Sequence, residues 1–274
     1  MAGMPANEPI LERIARAKRA ELEKLRVAMP QAMLERKIVP RTGGVFRNAL
    51  LDRQGSPADF AVIAELKKAS PSVGIICADY DPVQIARGYE RAGARALSVL
   101  TDTEFFQGSL DHLRQVRAAV SLPLLRKDFT LDAYHVYEAA AAGADAVLLI
   151  VAILKPSEIA SLLRTVKSLG LDALMEVHTA EELEIAMGAG AEIIGVNNRD
   201  LRNFDVSLNT SLQLIEIIPE RCIAISESGL RSRADLEQLR AAGFDAFLIG
   251  ERLMSEHNPG AALARMLSSG SSRP

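Results

Sequence analysis

The chain has 274 residues, of which 49% are apolar and 24% charged, and a formal net charge of -3. These values are ordinary for a globular protein, and the charge gives no reason to expect nucleic acid or an anionic membrane as a partner. The two cysteines, Cys77 and Cys222, have no metal-type spacing and fit a reducing cytoplasm better than a disulfide framework. The four histidines are scattered, so we expect each to be a surface or packing residue.

The first forty residues predict a charged helix with one apolar stripe. The stripe consists of Leu11, Ile14, Ala15, Leu22 and Leu25. Charges interrupt this segment too early for a signal peptide, and Pro30 and Pro40 break it. We expect an N-terminal helical extension over residues 1–45 that packs on the remaining chain. It could serve as a structural cover or as a lid that closes over a substrate, and both interpretations stay open.

A regular alternation of strand and helix patterns follows. The predicted strands are Ala61–Leu66, Ala96–Leu100, Pro123–Lys127, Ala146–Val151, Ala173–Val177, Ile193–Asn197, Ile223–Ser226 and Ala246–Ile249. Helical periodicity lies between them, at Val83–Ala92, Leu110–Ala119, Ala133–Ala142, Pro156–Leu169, Ala180–Ala189 and Arg233–Ala242. The longest uninterrupted apolar stretch, Ala146–Leu154, is too short to cross a bilayer as a helix.

Glycines stand where several of these helices should end: Gly93, Gly143, Gly170, Gly190 and Gly243. Tight turns of this kind between helix and strand indicate repeated βα units and a parallel sheet. Eight such units favour a closed (β/α)8 TIM barrel over residues 46–267, with an open doubly wound sheet as the alternative. Residues 268–274 are polar and predict a disordered tail.

Charged and polar residues stand at the carboxyl ends of the predicted strands, where a buried strand should be apolar. They are Glu65, Lys67, Lys127, Glu176, Asn197, Arg199, Glu227 and Ser228. Any one of them could be a structural ion pair or a solvated charge, but together they would be costly unless they faced a polar cavity. Active sites of such barrels lie at this end of the strands, and lysines beside glutamates supply both acids and bases.

Glu176 ends an otherwise apolar run and needs a compensating cation, for which Lys67 and Lys127 are the candidates. Apolar side chains could form a wall of the same cavity, although a plain core role suits any single one of them: Phe105, Phe106 and Phe129.

The loops after the last two predicted strands carry a phosphate-site pattern. Ser228 and Gly229 follow the seventh strand, and Gly250 follows the eighth, just before a predicted short helix. Such loops commonly bind phosphate in this fold, because glycine lets backbone N–H groups approach the anion. The Glu251 side chain cannot help to bind an anion, so a contact there must come from its backbone.

Residues 65–72 read ELKKASPS and resemble the E-x-K-x-x-S-P-S signature of indole-3-glycerol-phosphate synthases. Further segments resemble the same family in the same order: SVLTD, FFQGS, LRKDF, LLIVAIL, MEVH, GVNNRDL, SESGL and LIGERLM. The resemblance covers nearly the whole chain. It implies a cytoplasmic lyase that converts a carboxyphenylamino-deoxyribulose phosphate into indole-3-glycerol phosphate in tryptophan biosynthesis. It also implies no cofactor or metal, and we expect a monomer whose only partner is the small phosphorylated substrate.

The resemblance also implies residue roles. Lys127 matches the general acid at the substrate carbonyl, and Glu176 matches the base of the later steps. Lys67 matches a second lysine, placed either at the substrate's charged groups or as the acid of dehydration. The remaining matches orient the ribulose part (Glu65, Asn197, Glu227), bind anionic groups (Ser70, Arg199), or form the phosphate loops (Ser228, Gly229, Gly250, with Glu251 beside them).

Two other functions compete with this interpretation. A second kind of phosphosugar-binding barrel, such as a phosphoribosyl isomerase, would share the phosphate loops but should lack the motif at residues 65–72. A non-catalytic scaffold barrel would not need Lys127 and Glu176 at facing strand ends.

Overall fold

A computed structural model describes residues 9–52, 60–200 and 204–268. Within these residues, parallel strands close into a barrel of eight strands in chain order, with the last strand paired to the first. The strands are β1 Ala61–Leu66, β2 Ala96–Leu100, β3 Leu124–Lys127, β4 Ala146–Ile150, β5 Asp172–Val177, β6 Ile193–Asn197, β7 Ile223–Glu227 and β8 Ala246–Ile249. The predicted (β/α)8 barrel is confirmed, and the open-sheet alternative is wrong.

Helices surround the barrel and precede it. They are α1 Ile10–Ala28, α2 Gln31–Glu35, α3 Val45–Leu51, α4 Pro82–Arg91, α5 Leu110–Ala119, α6 Ala133–Ala142, α7 Pro156–Ser168, α8 Ala180–Gly188, α9 Asn209–Leu214, α10 Arg233–Ala242, α11 Glu251–Met254 and α12 Pro259–Leu267. The N-terminal helical extension is therefore present. The limits of residues 1–45 and 46–267 stay predictions, and residues 269–274 of the predicted tail lie outside the described residues.

The element boundaries differ from the predicted ones by single residues. The third strand begins at Leu124 because Pro123 has no N–H to donate to the sheet. The fourth ends at Ile150, and Val151 begins a short 3-10 helix. The glycines at the helix ends behave as predicted: Gly143 and Gly243 have φ values of 96° and 119°, where a side chain would be strained.

The barrel interior is filled by alternate side chains of the strands. Its apolar members are buried, and they include Ile63, Leu125, Leu148, Leu174, Ile225 and Leu248. Phe46 and Leu50 of α3 join this cluster, and the backbone N–H of Arg47 donates to the Asp172 carboxylate at the first residue of β5 (3.0 Å). The helix α3 therefore covers the amino-terminal end of the barrel and leaves the carboxyl end for the polar residues.

A second apolar layer lies between the strands and the outer helices, where Val62, Leu97, Leu113 and Ile159 are fully buried. Truncating one such Leu or Ile to Ala typically costs about 2–5 kcal/mol of stability. The scaffold under the site is thus held by ordinary barrel packing. Among the described residues, no helix is long and apolar enough to cross a membrane.

Candidate active site

A cavity of about 550 Å³ opens at the carboxyl ends of the strands. Every predicted site residue lines it: Glu65, Lys67, Ser70, Lys127, Glu176, Asn197, Arg199, Glu227, Ser228, Gly229, Gly250 and Glu251. The strands bring them together because residues two apart on a strand face the same side, and barrel closure turns those sides toward one axis. The roles inferred for these residues stay proposals.

Lys127 is the centre of a charged cluster in this cavity. Its Nζ donates to Oε2 of Glu176 at 3.2 Å and also to Oε2 of Glu227. Lys127, rather than Lys67, is therefore the cation that compensates Glu176. Burial opposes the charged ammonium, but the carboxylates of Glu227, Glu176 and Glu65 outweigh it and raise the pKa of Lys127 well above its usual range.

The two glutamates that share Lys127 have opposite pKa shifts. Burial disfavours the ionised form of both, but Lys127 and His178 lower the pKa of Glu176, helped by a hydrogen bond from Asn197 Nδ2 (3.1 Å). In Glu227, burial and the nearby Glu176 charge raise the pKa more than Lys127 lowers it, and the pKa is about 7. One carboxylate is thus held ionised while its neighbour binds a proton near neutral pH.

Glu227 depends on a glycine that the sequence analysis did not single out. A Cβ atom at Gly195, in the middle of β6, would collide with Oε1 of Glu227. That oxygen is buried and has no hydrogen-bond partner among the residues that the structure describes. A glycine inside a buried strand often marks a close approach, which is the signal that could have identified this position.

A second ion pair lies at the end of β1. Lys67 Nζ is 2.9 Å from Oε1 of Glu65, and Ser98 Oγ donates to the other carboxylate oxygen at 3.3 Å. Burial alone would raise the pKa of Glu65, but the nearby charges of Lys67 and Lys127 outweigh this effect, so the pKa is lowered. A Cβ atom at Gly250 would collide with Glu65, so this glycine makes room for a carboxylate as well as following the last strand.

The two predicted ligands Arg199 and Glu251 contact each other. Arg199 Nη2 lies 2.9 Å from Oε2 of Glu251, and its backbone N–H donates to Oδ1 of Asn197 at 3.0 Å. The guanidinium stands at the rim with its side chain 21% exposed. An incoming anion would therefore compete with a carboxylate for this arginine.

The two predicted phosphate loops lie side by side at the cavity, because they follow the neighbouring strands β7 and β8. Ser228 and Gly229 both have positive φ, 67° and 79°, and a Cβ at Gly229 would collide with Val206. Ser70 belongs to a short hairpin formed by Ala69–Ser70 and Gly74–Ile75, where its Oγ accepts a hydrogen bond from the Val73 N–H at 3.3 Å.

The apolar wall is formed partly as predicted. Phe106 and Phe129 line the cavity with their rings 6.2 Å apart, together with Ile14 from α1. Phe105 is not among the lining residues; it packs against the apolar cluster of the barrel interior, and Cζ of Arg13 lies 5.3 Å from the centre of its ring. The helix α1 therefore contributes directly to the substrate cavity.

Two charged or ionisable residues next to the site were not identified from the sequence. Lys18 lies on the apolar face of α1, and its Nζ is 3.1 Å from Asp102 and 3.0 Å from Asp128. Its spacing of four residues from both Ile14 and Leu22 was an available signal for burial. His178 is neither a surface nor a packing residue: its Nε2 lies 3.5 Å from Oε1 of Glu176. Its position two residues after a strand-end glutamate was the signal there.

No group of three or more His, Cys, Asp or Glu that could hold a metal ion occurs in the described part of the chain. The residues that line the cavity include two lysines, three buried glutamates, the amide of Asn197 and three arginines, Arg199, Arg231 and Arg252. Such a set can donate protons to oxygen, remove a proton from carbon and hold an anionic substrate.

The fold and this site define the chain as a (β/α)8 barrel of the kind that carries its chemistry at the carboxyl ends of the strands. Solved structures share the fold at low identity. The 3-hexulose-6-phosphate synthase of Salmonella typhimurium has a TM-score of 0.61 at 12% identity, covering 76% of this chain and 98% of its own. Thiamine phosphate pyrophosphorylase of Pyrococcus furiosus has a TM-score of 0.57 at 16% identity, covering 76% and 93%.

Sequence relatives identify the family. The family model for indole-3-glycerol phosphate synthase matches residues 11–266. The indole-3-glycerol phosphate synthase of Desulfotalea psychrophila is 46% identical, over 94% of this chain and 98% of the relative. That of Chlorobium phaeovibrioides is 50% identical over 89% and 93%. The chain belongs to the indole-3-glycerol phosphate synthase family.

Family membership confirms the predicted activity, a carboxy-lyase reaction of tryptophan biosynthesis that forms indole-3-glycerol phosphate. The phosphoribosyl isomerase and scaffold alternatives are wrong. The protein acts on a small phosphorylated substrate.

Proposed function

We propose that the cavity at the barrel mouth converts 1-(2-carboxyphenylamino)-1-deoxyribulose 5-phosphate with Lys127 as acid and Glu176 as base. The observation that carries this proposal is the contact of Lys127 with Glu176 and Glu227 inside the cavity. In the first step, an aromatic ring carbon attacks the substrate carbonyl carbon. Lys127 gives a proton to the carbonyl oxygen as the carbon–carbon bond forms, so no free alkoxide has to be buried.

The carboxylate then leaves as carbon dioxide, and its bonding pair restores the aromatic ring. The wall of Phe106, Phe129 and Ile14 suits this step because an apolar surface does not stabilise the carboxylate in the ground state. No residue has to move a proton during this step.

Dehydration completes the indole ring. The hydroxyl formed in the first step takes a proton from a lysine and leaves as water, while Glu176 removes a proton from the adjacent carbon. We assign the hydroxyl's proton to Lys67, because Lys67 is held by Glu65 on a different strand from Lys127. Both protons go to the same oxygen atom, which is first the carbonyl oxygen and then the leaving hydroxyl. With a lysine for each step, Lys127 does not have to regain its proton before dehydration.

Positioning falls to the remaining residues. Asn197 holds Glu176 by a hydrogen bond of 3.1 Å, and Arg199 and Ser70 stand at the rim for the anionic groups of the substrate. The backbone at Ser228, Gly229, Gly250 and Glu251 binds the phosphate in this proposal.

We also assign the protein to the cytoplasm as a monomer that needs no metal or cofactor. Support for the cytoplasm comes from Cys77 and Cys222, which are both free thiols. Support for a monomer comes from the scattered positions of its exposed large apolar residues, such as Val27, Val39 and Ile185.

The test of this proposal is an indole fluorescence assay with the carboxyphenylamino-deoxyribulose phosphate. The chain contains no Trp, so the product signal has little background. Inorganic phosphate should compete weakly, and a dephosphorylated substrate should bind poorly. Equal affinity for substrates with and without phosphate would contradict the assignment of the two loops.

A further inference from the structure

His178 reaches the proposed base from outside the cavity. It follows Glu176 by two residues at the end of β5 and is not one of the residues that line the cavity. Its Nε2 lies 3.5 Å from Oε1 of Glu176, and its Nδ1 lies 3.1 Å from Oε2 of Glu182. The imidazole is thus placed between two carboxylates, with 13% of its side chain exposed.

The local backbone fixes this arrangement. Glu182 stands in the first turn of α8, and Thr179 caps that helix by accepting from the Glu182 N–H at 3.3 Å. Oε2 of Glu182 also accepts from the backbone N–H of His178 at 2.7 Å. The Glu182 carboxylate therefore binds both the backbone N–H and the Nδ1 edge of His178. The opposite edge of the ring, which carries Nε2, faces Glu176.

Both ring nitrogens face a carboxylate, and this decides the charge of the ring. A neutral imidazole carries only one N–H, whereas an imidazolium carries two and can direct one N–H toward each glutamate. Burial opposes the charge, but the hydrogen bond to Glu182 and the charges of Glu176, Glu182 and Glu227 raise the pKa of His178. These carboxylates come from β5, α8 and β7, the elements whose ionisable groups act on the ring.

The buried Nε2 atom supports the same conclusion. Within residues 9–52, 60–200 and 204–268 it has no hydrogen-bond partner, although it faces Glu176. A buried N–H or lone pair without a hydrogen bond costs stability. The position of this Nε2 atom beside a proposed catalytic carboxylate therefore calls for a functional reason.

The geometry points to His178 as a positioning residue for the reaction: an imidazolium, oriented by Glu182, that keeps Glu176 ionised and directed into the cavity. This inference rests on the proposed role of Glu176 as the base. Lys127 holds the other oxygen of the same carboxylate at 3.2 Å, and Asn197 holds Oε1 at 3.1 Å. His178 approaches Glu176 from outside the cavity, so a molecule bound in the cavity leaves this contact in place.

The arrangement has a consequence for pH dependence. At low pH the imidazolium opposes protonation of Glu176, and its removal should shift the acid limb of kcat to higher pH. At high pH the ring loses a proton and keeps only the N–H that Glu182 requires. Its Nε2 lone pair then faces the Glu176 carboxylate, and kcat should decline toward the level of a variant that lacks the imidazole.

The direct test is 15N NMR of the histidine rings, which does not depend on activity. The protein has four histidines, so loss of one set of signals in His178→Gln assigns His178. In the wild-type protein we expect His178 to titrate above the ordinary value of 6.5. The midpoint should fall in Glu182→Gln and in Glu176→Gln, since each removes one of the flanking charges.

Kinetics provide the second measurement. We expect His178→Gln and Glu182→Gln to lower kcat about tenfold, the size of effect that corresponds to one pKa unit, because each weakens the positive charge beside Glu176. KM should stay within about twofold because neither His178 nor Glu182 is among the residues that line the cavity. Glu181→Gln is the matched control, since Glu181 is the fully exposed neighbour of Glu182 in the same helix turn.

The outcomes separate this inference from the proposed function. A His178 that is neutral at pH 6.5 and insensitive to Glu182→Gln overturns the inference, even if Glu176→Gln is inactive. Unchanged kcat and an unchanged alkaline limb in His178→Gln overturn it as well. If Glu176→Gln stays active while His178 titrates as expected, the base assignment fails and the charged pair remains.

Discussion

At the scale of single residues, the site separates the properties of chemically identical side chains. Glu176 and Glu227 are both buried and both contact Lys127. Glu176 has additional positive and hydrogen-bonding neighbours, whereas Glu227 has one buried oxygen with no hydrogen-bond partner in the described part of the chain. Their pKa values therefore move in opposite directions, and only Glu176 is poised as a carboxylate that accepts a proton over most of the neutral range.

Replacing Lys127 with Met removes the proposed proton donor and nearly preserves the side-chain length. We expect turnover to fall about 100-fold or more, with substrate binding changed much less. The measurement is kcat and KM with the fluorescence assay. Lys167→Met, at an exposed position of α7, is the matched control. Near-normal turnover in Lys127→Met would mean that another group protonates the carbonyl.

Replacing Glu176 with Gln separates a catalytic role from a structural one. Lys127 keeps Glu227 as a partner, so the change does not leave a buried cation unpaired. We therefore expect turnover to fall by about two to four orders of magnitude, while the melting temperature changes little or rises. Both quantities are measured on one sample. A destabilised protein whose folded fraction is fully active would show that Glu176 is only a structural partner.

At the scale of secondary-structure elements, α1 is tied to the catalytic strands by a buried charge. Lys18 on α1 pairs with Asp102, after β2, and with Asp128, which directly follows Lys127. The far end of the helix is held by Tyr134, whose hydroxyl donates to the Leu25 and Met29 carbonyls. The helix is thus fixed at two points on the barrel while its apolar face forms part of the cavity wall.

Replacing Lys18 with Met should destabilise the fold, because Asp102 and Asp128 stay buried and lose a shared cation. Breaking a buried ion pair typically costs about 3–5 kcal/mol. Urea unfolding measures the loss. Lys24→Met, on the exposed side of the same helix, should cost almost nothing. A loss as small as that of the control would show that the fold accommodates Asp102 and Asp128 without the Lys18 charge.

Removing residues 1–40 tests whether this segment acts as a lid. The barrel keeps its own core and its α3 cover, so we expect a folded product with a raised KM. The physical reason is the loss of Ile10, Leu11 and Ile14 from the cavity wall. Circular dichroism and the fluorescence assay measure the two properties. A truncated chain that does not fold would mean that the extension is structural cover.

At the scale of the whole molecule, buried carboxylates should set the pH dependence of stability. Burial alone would raise the pKa of Asp128, but the charges of Arg126 and Lys18 outweigh this effect and lower the pKa from 3.8. The pKa values of Glu65 and Glu176 are likewise lowered, in their case from 4.5. Each contributes stability that is present above those unfolded-state values and is lost as the pH falls below them. Glu227 acts in the opposite sense: its stabilisation is lost as the pH rises through about 7.

Urea midpoints across the acid range measure this effect. The wild-type midpoint should fall as the pH drops through the unfolded-state values of 4.5 and 3.8. Asp128→Asn should be less stable near neutral pH but less sensitive to acid, because it removes one of the linked protons. Parallel acid sensitivity in the two proteins would show that Asp128 has an ordinary pKa in the fold.

Local sequence determined the architecture of this protein, and tertiary structure decided which charges meet. Strand runs, helix periods and terminal glycines such as Gly143 depend on neighbours in the chain, so a pattern of a few residues specifies them. The strand-end residues could likewise be assigned to one end of a barrel. Their partners could not be assigned, because Lys127 lies 49 residues from Glu176 and 100 from Glu227. Only barrel closure brings such distant positions together, and it also places Lys18 on the loops of the site and His178 beside the base. The pKa values of these groups depend on that packing, since burial and the nearest opposite charge set them.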